Sequence, residues 1–210
     1  RAKPTNVNRE KLYDNLVNTY KYYGMKENKN FFLDDKASYV PMQMQQWGYN
    51  LAMSYASQVT NYERYKKAYD AGQNPPSVAG YATLKEYLDS EADATEKSRA
   101  KALQVLDKMV EELPQPQMVW NREVLADFGL TYMILGETKK GELLLKDAVE
   151  QNQEFFAYYK KRYPEQDISN NRQLNNCYRT ASNVLNMLNS YGFKDLATKY
   201  EKVLKPMTVR

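Results

Sequence analysis

Histidine is absent from the 210-residue chain, and cysteine occurs once, at Cys177. The first absence removes the commonest general base and the commonest metal ligand. The second excludes an internal disulfide and a cysteine-rich metal centre. Glycine and proline are scarce, at 8 each, and fall at joints between periodic segments. Strand-like alternation is missing, so a sheet is not expected. No run of about 18 apolar residues occurs, so no segment is expected to span a membrane. The chain begins RAKPTNVNREK, without methionine or a signal sequence. It is therefore expected to be a fragment or processed product whose targeting information lies elsewhere. Lys and Arg exceed Asp and Glu by only four, in mixed order, which is too diffuse for a nucleic-acid partner.

What is present is helical. Apolar and aromatic residues at Leu12, Leu16, Tyr20 and Tyr23 have helical spacing, and Gly24 is a plausible end to that helix. Pro41 opens a long helix that stops at Gly72. Pro75, Pro76 and Gly80 then interrupt the pattern. Ala102, Leu103, Leu106, Met109, Val110 and Leu113 share one face of the next helix, which Pro114 and Pro116 end. Short connections between such helices predict antiparallel neighbours, and paired helices call for a search for repeats.

The stretch LADFGLTYMILGETKKGELLLKDAVE, residues 125–150, matches the tetratricopeptide repeat, a helix hairpin of about 34 residues. Leu125, Phe128-Gly129, Tyr132, Gly136, Gly141, Leu145 and Ala148 take its large and small positions; Gln153 stands where the closing proline is expected. Glycine inside a helix costs about 1 kcal/mol against alanine, so these glycines need a structural reason. Gly129 and Gly141 are expected where two helices cross, and Gly136 at the turn. A first pair (Leu51, Ala52, Tyr55 with Ala102, Leu106, Met109 and Pro114) and a third (Val184, Leu188, Gly192, Ala197, with Tyr200 and Val203 out of register) match less well. The expected fold is all-α, tetratricopeptide-like antiparallel helix hairpins stacked into a short right-handed superhelix. Residues 1–40 form an N-terminal helix and connector packing on the repeats. Residues 41–210 form the repeat domain, with hairpins at about 41–113, 118–163 and 171–206 and an insertion at 60–95. A generic helical bundle is the alternative.

The N-terminal YDNLVNTYKYYGMKENKNFFLDDKA resembles a segment of Bacteroidetes multi-pass membrane proteins of the protein O-mannosyltransferase-like family, in which transmembrane helices carry a soluble C-terminal region. The matching features are Tyr13-Asp14-Asn15, Gly24-Met25 and Phe32-Leu33-Asp34. After these come KALQVLDKMVEELP, ADFGLTYMILGE and the aromatic pairs Phe155-Phe156 and Tyr158-Tyr159, in order over about 12–165. Residues 60–95 depart from the pattern. The resemblance implies a non-catalytic tail on the periplasmic face of the inner membrane, tethered through a preceding transmembrane region. The glycosyltransferase carboxylates would lie in that region, so none is carried over here.

No residue set within this chain points to chemistry. Asp34-Asp35 read as a cap or turn and Glu111-Glu112 as a solvated helix end, since adjacent helical residues diverge. The DDKASYVPMQ run lacks the glycine and terminal glutamate of a calcium loop, and GETKKG lacks the ending of a phosphate loop. No metal and no cofactor is expected. Tyr62, Tyr65 and Tyr69 interleave with Arg64, Lys66 and Lys67; the preferred reading is an amphipathic helix whose tyrosines pack on a neighbour. Candidate binding residues lie on the first helix of each pair, which in such repeats lines a concave groove: Tyr49 and Met53; Glu123, Leu130 and Met133; and a polar stripe of Arg179, Ser182, Asn186 and Asn189, beside Asn175. The stripe could bond an extended peptide or sugar hydroxyls, or could be a solvent face. The expected partner is a protein or peptide, which could be the protein's own membrane domain, with a glycan as an option. A glycan- or peptide-binding helical lipoprotein of a Bacteroidetes outer-membrane uptake system is the second reading.

Overall fold

The computed structural model describes residues 8–22, 39–73, 78, 80–113 and 122–208. Among them every regular element is helical, and neighbouring helices pack in pairs, as the all-α hairpin expectation requires. The chain divides into two compact units, residues 1–119 and 120–210. The expected boundary at 40/41 is not where the contacts break. The N-terminal helix belongs with the first long hairpin, because its side chains are built into that hairpin's core.

In the first unit, α1 (Arg9–Asp14) runs into a π-helical turn (Asn15–Thr19), followed by α2 (Tyr39–Asp70) and α3 (Leu84–Glu112). The Asn8 side chain caps α1 by accepting from the Lys11 amide at 3.0 Å. Leu16 is fully buried, and the Tyr55 hydroxyl of α2 donates to Glu10 Oε1 at 3.0 Å. The Tyr55 ring stands edge-on to Tyr13, with the Arg9 guanidinium 4.4 Å from its centroid. Helices α2 and α3 are antiparallel: Gly48 meets Met109, Gln58 meets Ser98, and Tyr62 meets Leu88. The core between them is Leu51, Ala52, Tyr55, Ala56 and Val59 against Ala102, Val105, Leu106 and Met109.

Of residues 60–95, expected as an insertion, 60–70 and 84–95 are helical and form the distal parts of α2 and α3. The tip is sealed by aromatic rings: Tyr62, Tyr65 and Tyr81 surround Tyr87 at centroid distances of 6.1, 5.4 and 5.3 Å. The tyrosine stripe of α2 therefore packs on its neighbour, except Tyr69, which is exposed. Helix α3 starts at a capping box, with Thr83 Oγ1 accepting from the Glu86 amide and Glu86 reaching back to the Ala82 amide, both at 3.1 Å. Glu112 closes an ion pair with Lys108 at 2.8 Å, within the helix surface. Gly24, Asp34-Asp35, Pro75, Pro76, Pro114 and Pro116 lie outside the described residues.

The second unit holds α4 (Arg122–Ile134), α5 (Thr138–Arg162), α6 (Arg172–Ser190) and α7 (Lys194–Thr208). The glycines of the repeat signature have the roles expected of them. A Cβ on Gly129 would stand 2.8 Å from the Gly141 carbonyl and 3.0 Å from the Leu145 amide. A Cβ on Gly141 would collide with the Gly129 carbonyl and with Met133. The two backbones touch, and only glycine permits it. Gly136 has φ +95° and ends α4, with the Glu137 amide donating to the Tyr132 carbonyl and the Gly136 amide to Met133. Leu125, Phe128, Tyr132, Leu145 and Ala148 are all buried around this crossing.

A buried polar pin ties the four helices of this unit together. Asn152 of α5, 1% exposed, accepts from Arg122 Nε at 2.8 Å. Its amide group donates to the Cys177 carbonyl at 3.1 Å and lies 3.2 Å from Met207 Sδ. Burial, opposed by Arg122, pushes the Cys177 thiol above its ordinary range, which marks it as a structural rather than a reactive cysteine.

Candidate functional site

Helix α4 is the most enclosed element of the second unit. Every residue from Leu125 to Leu135 is buried except Asp127. A helix that is apolar nearly all round needs cover on more than one side. Here α5 covers the glycine face and α6 covers another. Between α4 and α6 a cleft of about 70 Å³ remains, lined by Glu123, Ala126, Asp127 and Leu130 from α4 and by Thr180, Asn183, Val184 and Met187 from α6. That is room for the tip of a side chain, well short of the volume of an ordinary small-molecule pocket, about 300 Å³ or more.

Two carboxylates set the character of this cleft. Glu123 and Asp127 are one turn apart on the same face of α4. Burial first, and Glu123 second, push the Asp127 carboxyl up to about 6. The opposite wall offers no positive charge to relieve this: Thr180, Asn183, Val184 and Met187 do not titrate. The Thr180 hydroxyl lies 3.3 Å from Glu123 Oε1 while also donating to the Asn176 carbonyl at 3.0 Å. The site is thus a short acidic slot with an apolar floor.

The candidate residues fare unequally. Glu123 lies in the cleft, as expected of a first-helix residue. Leu130 is only 1% exposed and forms the cleft's floor, and Met133, 3% exposed, lies against Gly141 at the other side of α4. Neither presents an open surface, because α5 and α6 both cover α4. The polar stripe of α6 does not line the cleft. Leu174, Cys177, Ala181, Val184 and Leu188 are its buried face, and Thr180, Asn183 and Met187 its cleft edge. Arg179, Asn186 and Asn189 are exposed and Ser182 half-buried on the outer side; Asn189 spends its amide on the Leu185 carbonyl of its own helix, at 2.9 Å. The stripe is open on the outer side of α6. Tyr49 and Met53 are half-buried on α2, in the first unit.

Asp127, Thr180 and Asn183 were not expected here. A signal for the first was present: a lone carboxylate inside the apolar run of α4, four residues after Glu123. Among the described residues no three acidic or cysteine side chains gather as metal ligands, and no helix is long and apolar enough to cross a membrane.

Fold and cleft together define the class: an all-α protein of packed helix hairpins with a small acidic cleft between α4 and α6. Comparison with protein-family models, with curated proteins and with solved structures finds no match.

Proposed function

We propose that the chain is a non-catalytic helical interaction domain whose second unit receives a lysine or arginine side chain from a protein or peptide partner in the α4/α6 cleft. The observation that carries the reading is the half-buried Asp127, raised by burial and by Glu123, in a slot of side-chain size with no Lys or Arg among its lining residues. A carboxylate held in a poorly solvated place without a partner is unfavourable alone and favourable once a cation arrives. The apolar floor of Leu130 and Val184 suits the methylene stem of such a side chain.

The resemblance of the N-terminal segment supports placing this domain as the extracytoplasmic tail of a membrane-embedded glycosyltransferase-like protein, with that membrane part as one candidate partner. Sequencing the gene upstream of residue 1 tests this: many transmembrane segments support it, and a short lipoprotein signal favours the uptake-system reading instead.

The cleft itself is tested by titrating the chain with extended peptides that carry one lysine or arginine, and with the same peptides bearing alanine there. Binding should weaken about tenfold or more on loss of the cation, and equally in Asp127→Asn. The Arg179→Ala, Asn186→Ala double variant should bind like the parent. Affinity should rise as pH rises through about 6, where Asp127 loses its proton. Peptide binding indifferent to the cation, to Asp127 and to pH would remove the cleft as the recognition site.

A further inference from the structure

A second, larger concavity lies in the same unit where α5 turns into α6, and no role has yet been assigned to it. It is an open basin of about 630 Å³. Its aromatic wall is Tyr158, Tyr159 and Tyr163, and two of these rings are open to solvent, Tyr158 by 53% and Tyr163 by 36%. The Arg162 guanidinium lies 6.0 Å from the Tyr158 centroid and 5.7 Å from that of Tyr163, and part of each ring stays open. The Tyr158 and Tyr159 rings stand edge to face, 5.1 Å apart, so the wall is angular and holds its shape.

Arg162 is fixed between the phenols: its Nη1 donates to the Tyr158 hydroxyl at 2.9 Å and its Nε to the Tyr163 hydroxyl at 3.1 Å. Arg172 lines the opposite side and makes no ion pair among the described residues. Gln166, Asn170 and Gln173 add side-chain amides. Not one lining residue is acidic; Glu165 and Asp167 belong to the same turn but are not on the wall.

The floor is built rather than loose. Buried Ile168 anchors the turn, Lys160 Nζ holds the Gln166 carbonyl at 3.1 Å, and Asn171 donates to Gln166 Oε1 at 2.7 Å. Asn171 Oδ1 also caps α6, accepting from the Gln173 and Leu174 amides, so the helix end is already satisfied and does not itself attract a ligand.

We infer that this basin binds an acidic oligosaccharide, one whose sugar rings carry carboxylates. Ring C–H faces fit the exposed phenol rings, hydroxyls fit the amides of Gln166, Asn170 and Gln173, and the two guanidiniums take the carboxylates. A neutral sugar supplies no counter-charge to either guanidinium. An acidic peptide would answer them but leaves the tyrosine faces with nothing flat to meet. The inference depends neither on the α4/α6 cleft nor on a membrane tether.

The test uses the full chain, calorimetry and ¹H–¹⁵N shifts, with a galacturonic acid oligomer, the neutral galactose oligomer of equal length, a glutamate oligomer and a mononucleotide. The uronate should bind saturably and shift amides of the α5–α6 turn. The neutral sugar should bind about tenfold more weakly or not at all, and Tyr158→Ala and Arg172→Gln should each cost the uronate about tenfold. Tyr158→Phe, which keeps the ring, should retain most of the affinity and serves as the folding control for that position. Asp127→Asn should leave uronate binding unchanged, which separates failure here from failure of the cleft. No saturable uronate binding, equal binding of the glutamate oligomer or the nucleotide, or indifference to Tyr158 and Arg172 would each overturn the inference.

Discussion

The two units solve the same problem, bringing two antiparallel helices together, with opposite materials. In the first, α2 and α3 are held by side chains: a Tyr55-centred core, a ring cluster around Tyr87, and Met109 lying against Gly48. In the second, α4 and α5 meet backbone to backbone at Gly129 and Gly141. The units also treat carboxylates differently. Glu10 in the first is held below its ordinary range, chiefly by the hydrogen bond from Lys101. Asp127 in the second is pushed up by burial and by Glu123. Side-chain contacts can adjust, and Glu10 is answered there by Lys101 and Tyr55, although Gln45 Nε2 and Thr95 Oγ1 are buried without a hydrogen-bond partner among the described residues. In the second unit the backbones touch at one crossing, and the residues that line the cleft with Asp127 supply no positive charge, an arrangement the proposed recognition of a cation would use.

The sharpest way to break this comparison is Gly141→Ala. The added methyl meets the Gly129 carbonyl and the Met133 backbone, neither of which can rotate away. The helices must separate, at a cost of about 3 kcal/mol or more. Because two units need not unfold together, amide exchange is the suitable measurement, and protection should fall across α4 and α5. A cost under about 1 kcal/mol would mean the crossing is not close-packed.

Asp127→Asn comes next, with the opposite sign. The folded chain keeps the Asp127 proton up to about pH 6, whereas the unfolded chain releases it near the ordinary value of 3.8. The group's contribution to stability is therefore fully present below about pH 4 and is lost as pH rises through about 6. The neutral amide avoids that loss. At pH 7 the variant should be more stable by up to about 3 kcal/mol, and near pH 4 the two should coincide. Denaturant titrations of both proteins at the two pH values decide it; a gap that does not change with pH would show that Asp127 is not held in its neutral form.

The contrast also explains what could be read from residue order. The glycine hairpin was legible because a backbone contact and a positive φ each admit almost one residue type, so Gly129, Gly141 and Gly136 carry their geometry openly. The length of α2 was also legible, from Pro41 and Gly72; the pairing of its far end with the start of α3 was not, because tyrosine, alanine and lysine suit many packings and the 34-residue template is too short for them. Glu123 could be placed on an inner face by its position in the repeat. Asp127 could not be placed in the same way, because its burial comes from α5 and α6 covering α4 from two sides, which residue order does not state. The α6 stripe could be read only as one polar face, groove or solvent, because a helical period identifies a face without saying which neighbour it meets. The Tyr158–Tyr163 basin needs a turn to assemble it, and periodicity does not describe turns.

The smallest expected effect sharpens the comparison most cleanly. Gly48 lies inside α2 with the Met109 Cγ and Sδ atoms 2.6 and 3.0 Å from where a Cβ would stand. By distance alone Gly48→Ala resembles Gly129→Ala. The obstacle is different in kind, since a thioether chain has three rotatable bonds and fills space adaptably. Against the cost of moving it stands a gain in helix propensity of about 1 kcal/mol. The net change should stay within about 1 kcal/mol of zero, read as amide protection in α2 and α3. Met109→Leu in the same background should make the substitution worse, because a branched side chain retreats less easily. If Gly48→Ala instead costs as much as Gly141→Ala, distance rather than the nature of the neighbour governs both crossings, and the two units are built on the same principle after all.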